Sequence, residues 1–83
     1  MFVIYAIYNK QAGKLYIGQT EDLNSRIDEH NKHIFKGYTS RFQGLWELIY
    51  EESTATRSEA LAREKQLKSF RGREFIKKYI LNK

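Results

Sequence analysis

The chain has 83 residues, 41% hydrophobic and 30% charged, with a formal net charge of +5 and no cysteine. That length supports one modest core, so a single domain over 1–83 is expected and a second is excluded. The composition is globular rather than disordered, and without cysteine there is neither a disulfide framework nor a thiolate metal site, which suits a reducing cytoplasm.

Residues 2–8 alternate, with Phe2, Ile4, Ala6 and Tyr8 on one side and Val3, Tyr5 and Ile7 on the other, the period of a strand. This run lacks a basic leader region and is far too short to span a bilayer, so neither signal peptide nor membrane segment is expected. A turn-forming stretch, Asn9 to Gly13, precedes a second strand from Lys14 to Gly18, and the pair reads as an antiparallel hairpin. Thr20 is the expected N-cap of a helix running to about Asn31, with Glu21 and Asp22 at its positive end. The apolar stripe of that helix is thin, Leu23 and Ile27 extended by His30, and Arg26 borders it. Residues 31–44 have no clean period and read as a loop. Trp46, Leu48 and Tyr50 then alternate with Leu45, Glu47 and Ile49 as a third strand. Thr56-Arg57-Ser58-Glu59 is a capping box that opens a second helix. Its inward stripe is expected to be Ala60, Leu61, Glu64, Leu67 and Lys68, with Gly72 ending it. A last helix carries Phe75, Ile76, Tyr79 and Ile80 on one face. The order β-β-α-β-α-α fits an α/β or α+β domain with a small antiparallel sheet carrying helices.

The positive charge lies towards the C-terminus. Residues 1–30 sum to −1, residues 31–50 to +2 and residues 51–83 to +4. Lys68, Arg71, Arg73 and Lys77 crowd together there, and Lys36, Tyr38 and Arg41 add cations and an aromatic ring in the 31–44 loop. Such a stripe favours a polyanion. The ordinary alternative is a face solvated by its lysines.

Glu64 is the sharpest anomaly. A carboxylate flanked by Ala60, Leu61 and Leu67 on a helix is partly desolvated and needs a partner. An ion pair with Lys68, one turn on, would satisfy it; so would a metal ion. Glu59 is the rival acid, but the capping box accounts for it. Tyr5 and Tyr16 can be ordinary strand tyrosines, and Arg26 and His30 an exposed helix face. Taken together, two phenols, a guanidinium, an imidazole and one carboxylate are a plausible kit for cutting a phosphodiester.

The order of these residues carries a resemblance. Val3-Ile4-Tyr5, Tyr16-Ile17-Gly18-Gln19-Thr20, Leu23, Arg26, His30-Asn31, Glu59-Ala60 and Arg63-Glu64-Lys65 together resemble the GIY-YIG nuclease superfamily, and within it the small standalone bacterial members related to the N-terminal nuclease domain of the excision-repair enzyme. The resemblance covers almost the whole chain. It implies a three-stranded antiparallel sheet flanked by helices and a one-metal phosphodiesterase site. Its catalytic residues fall on Tyr5, Tyr16, Arg26, His30 and Glu64, the last being the metal ligand. Val3 stands where the motif name has glycine, and Ile76 occupies the region where some relatives carry an asparagine.

The expected activity is therefore a structure-directed DNA endonuclease of repair or recombination type, dependent on Mg²⁺ or Mn²⁺. One carboxylate suits such an ion, which keeps most of its waters and takes a phosphate oxygen from substrate. Tyr5 is expected to act as general base or to orient the water, with Tyr16 able to share that role. Arg26 would clamp the phosphate, and His30 would either hydrogen-bond a phenol or protonate the leaving oxygen. The competing function is a module of the same fold that holds nucleic acid without cutting it, through phosphate contacts and base stacking.

Overall fold

A strand with apolar side chains on both faces belongs in the middle of a sheet covered from both sides. The computed structural model, which describes residues 1–32 and 44–81, places the first strand there. Strands β1 (Phe2–Asn9) and β2 (Lys14–Thr20) are followed by helix α1 (Leu23–Asn31), strand β3 (Trp46–Thr54), and helices α2 (Arg57–Leu67) and α3 (Phe70–Leu81). The three strands form one antiparallel sheet in the order β2-β1-β3, the α+β architecture expected. Lys36, Tyr38 and Arg41 lie outside the described residues.

The two sheet faces carry separate clusters. Tyr5, Ile7 and Trp46 pack with Tyr16, Leu23, Ile27 and Leu48 on the α1 side. Ile4, Ala6, Ile17 and Ile49 pack with Ala60, Leu67 and Ile76 on the α2/α3 side. A bulge separates the Ala6↔Tyr50 and Ile7↔Leu48 pairs, and the extra residue breaks the alternation of β3. Tyr50 therefore does not share a face with Trp46 and Leu48, as strict alternation requires. It meets Phe75 and Tyr79 instead, at ring-centroid distances of 5.6 and 5.0 Å. Two residues on, Glu52 accepts hydrogen bonds from the Tyr50 hydroxyl at 2.6 Å and from Arg63 Nε at 2.9 Å, tying β3 to α2.

The helix ends differ in part from expectation. The N-cap of α1 is Asp22, whose Oδ1 accepts from the Ser25 amide at 3.2 Å. Thr20 is still paired in β2, and its hydroxyl accepts from the Asp22 amide at 3.1 Å, so it shapes the strand-to-helix turn rather than capping the helix. Thr56 does cap α2, accepting from the Glu59 amide at 3.2 Å, while its hydroxyl donates to the Glu59 carboxylate at 3.0 Å. Of the expected α2 stripe, Ala60 and Leu67 are buried but Leu61 is 48% exposed. Gly72 does not end α2. That helix stops at Leu67, and Gly72 lies in the first turn of α3, where a Cβ would come 2.2 Å from the Gln66 carbonyl oxygen and 2.4 Å from Leu67 Cα. Its missing side chain lets the two helices turn tightly against each other.

Candidate active site

Register brings the two motif tyrosines together. Tyr5 pairs with Gly18 and Ile7 with Tyr16, so the tyrosines are diagonal neighbours on one face, with ring centroids 6.2 Å apart. Gly18 makes room for them. A Cβ there would sit 2.8 Å from the Tyr5 hydroxyl oxygen and 3.0 Å from Tyr16 Cε2. Tyr5 is 1% exposed, whereas Tyr16 on the edge strand is half-buried.

His30 reaches the pair from the last turn of α1. It is fully buried, with its Nε2 2.9 Å from the Tyr5 hydroxyl and its ring centroid 5.1 Å from that of Tyr16. The neighbouring Asn31 anchors this turn. Its side-chain carbonyl accepts from the Trp46 amide at 2.7 Å and its amide donates to the Trp46 carbonyl at 3.2 Å, so the end of α1 is stitched to the start of β3. Burial pushes the Tyr5 phenol well above the ordinary tyrosine range; the nearby Tyr16 and Glu64 add to the rise and Arg26 opposes it. Burial, reinforced by Arg26, lowers the His30 imidazole below its usual value. Both groups are held neutral.

Arg26, one turn before His30, is partly exposed and lies 3.6 Å from the Glu29 carboxylate. With Gln19, Thr20 and Arg57 it lines a cleft beside the end of β2. Arg57 carried no functional signal in the sequence, where its place inside the capping box reads as helix surface.

Glu64 comes from α2, across the sheet, and its carboxylate is near enough to Tyr5 to raise the phenol. The side chain is 17% exposed and accepts a 2.9 Å ion pair from Lys68 Nζ, the bland partner considered from the sequence. Among the described residues no group of three or more His, Cys, Asp or Glu side chains could hold a metal ion. The donor set is thus one carboxylate already engaging a cation. That fits a hard ion such as Mg²⁺ or Mn²⁺ bound mostly through water and substrate oxygens, and it does not fit a closed all-protein cage.

The basic residues divide. Lys68 and Arg73 line a cleft of about 400 Å³ with Leu15, Tyr16 and Ile17. Lys14, Arg73 and Lys77 continue it over Leu15 and Ile17. Arg71 instead lines a separate cleft with Arg63, Gln66 and Phe75 at the α2–α3 junction. Lys14, two residues before Tyr16 on β2, is thus brought beside Arg73 and Lys77. Ile76 is fully buried in the α2/α3 core.

Comparison with known proteins gives the family. The family model described as the GIY-YIG catalytic domain matches residues 1–79. A UPF0213 protein of Staphylococcus epidermidis is 37% identical over 65 residues, 78% of each chain. A UPF0213 protein of Staphylococcus aureus is 38% identical over 58 residues, 70% of each. The solution NMR structure of a UPF0213 protein from Bacillus halodurans superposes with a TM-score of 0.53 at 29% identity, covering 92% of this chain and 82% of that one. With the family model spanning nearly every residue, and the motif tyrosines, arginine, histidine and glutamate gathered at one site, the chain belongs to the GIY-YIG nuclease-domain family.

Proposed function

We propose that the protein is a divalent-metal-dependent endonuclease that hydrolyses DNA phosphodiesters and selects its substrate by structure. The observation that carries this reading is the convergence of Tyr5, Tyr16, His30, Arg26 and Glu64 from both sides of the sheet. Tyr16 is the phenol that solvent can reach, so it takes the leading part in orienting or deprotonating the attacking water. Tyr5, buried and holding its proton, donates to Nε2 of a neutral His30 and sets that ring's tautomer and orientation. This moves the base role expected of Tyr5 towards its neighbour. Arg26 neutralises charge building on the phosphoryl oxygens. Glu64 is the residue that would hold Mg²⁺ or Mn²⁺, an ion that supplies Lewis-acid polarisation of the phosphate and the leaving alkoxide. The cations beside Tyr16 rim an apolar floor, Leu15 and Ile17, chemistry suited to phosphate and sugar rather than to base edges.

A non-cutting nucleic-acid module is the second reading, favoured by Lys68 seated on Glu64 and by the apolar Ile76. Incubation of labelled duplex, flap, bubble and single-stranded DNA with Mg²⁺ or Mn²⁺ distinguishes them. Cleavage of a distorted substrate by wild type but not by Glu64→Gln supports the nuclease. Retention of the DNA without any cleavage supports the module.

A further inference from the structure

We infer that Lys68 is an internal counter-ion that occupies the metal's place on Glu64 and gives it up when a phosphate enters the cleft beside Tyr16, so that metal and nucleic acid bind cooperatively. The inference rests on the nuclease reading above and deepens it. A carboxylate 17% exposed loses much of its hydration and gains from a cation at contact distance. Lys68 supplies one at 2.9 Å, in the favourable order of Glu followed four residues later by Lys.

Two features make the hold provisional. Lys68 is the C-cap of α2, and its side chain remains 47% exposed, so its long flexible stem is not locked by packing. The same side chain also lines the cleft formed with Tyr16, Leu15, Ile17 and Arg73. Arg73 has no acidic partner among the described residues. A phosphate there meets Arg73 and competes with Glu64 for the Lys68 ammonium. A metal ion arriving before the nucleic acid must displace that ammonium; one arriving afterwards finds the carboxylate free. The coupling is reciprocal, so the ion also strengthens nucleic-acid binding.

The test is Mn²⁺ binding to the free protein, read from the electron paramagnetic resonance signal of unbound ion. Lys68→Met should bind Mn²⁺ about fivefold tighter than wild type, the upper end for releasing a half-exposed ion pair, and Lys68→Arg should match wild type. The gain should vanish when Glu64→Gln is combined with Lys68→Met. A phosphorothioate oligothymidylate should tighten Mn²⁺ binding in wild type and do so less in Lys68→Met. Circular dichroism checks folding, with Lys68→Gln replacing Lys68→Met if the latter misfolds. Equal or weaker binding by the charge-removed variant, with Glu64→Gln still weakening wild type, overturns the counter-ion and leaves the metal site standing. Unchanged binding in Glu64→Gln removes both.

Discussion

Replacing Tyr5 by phenylalanine deletes one oxygen from a side chain that is 1% exposed, 2.9 Å from the Nε2 of a histidine with no exposure at all. The change removes the phenol that His30 Nε2 bonds, so that buried nitrogen loses this partner. Stranding a buried polar group costs about 1–3 kcal/mol. For a domain of this size that corresponds to a fall in Tm of roughly 5–20 °C, and a stability of order 5–15 kcal/mol leaves Tyr5→Phe folded at 25 °C. Urea unfolding of Tyr5→Phe, His30→Leu and the double variant measures the coupling directly. The two single losses should exceed the double by about 0.5 kcal/mol or more. Losses that add within about 0.3 kcal/mol would refute a buried phenol–imidazole bond and the positioning role built on it.

Gly18→Ala drives a methyl to 2.8 Å from the Tyr5 hydroxyl oxygen, so urea unfolding should register a loss of about 1–3 kcal/mol, with altered tyrosine fluorescence. His30 contributes a pH dependence: its folded-state pKa is lowered, so the unfolded chain protonates first as pH falls. The stability present above about pH 6.5 should be lost below it, down to the folded-state value, and thermal melts of His30→Gln should show a shallower fall than wild type over that window. Arg73→Ala combined with Lys77→Ala should flatten the log–log salt dependence of duplex binding by about 2, near 0.9 per phosphate contact. Arg71→Ala should leave that slope unchanged, because Arg71 lines a different cleft, with Arg63, Gln66 and Phe75, from the one Tyr16 lines.

Elements with local punctuation were legible in the sequence. Alternation marked β1, the capping box marked the start of α2, and the order of Tyr5, Tyr16, Arg26, His30 and Glu64 carried the family resemblance. What escaped depends on contacts between distant residues. The β3 bulge that turns Tyr50 towards Phe75 and Tyr79 leaves no trace in the 45–50 pattern, since Ile49 and Tyr50 are both acceptable on either face. Thr20 and Asp22 are both good caps, and only the pairing of Thr20 with Val3 decides between them. Gly72 looked like a helix breaker because its backbone approach to Gln66 and Leu67 becomes visible only once α3 folds back. The burial of Tyr5 relative to Tyr16 follows from β1 being central and β2 an edge, a property of the assembled sheet. It changes which phenol meets water.

The most direct measurement is the cleavage rate of a labelled flap or bubble DNA against Mn²⁺ concentration, for wild type and Glu64→Gln. Wild type should cut in a metal-dependent, saturable manner, and Glu64→Gln should lose that activity while keeping its circular dichroism spectrum and its DNA affinity at matched salt. A Glu64→Gln protein that cuts as fast as wild type, with the same dependence on Mn²⁺, would contradict the assignment of this carboxylate as the metal-holding group of a nuclease.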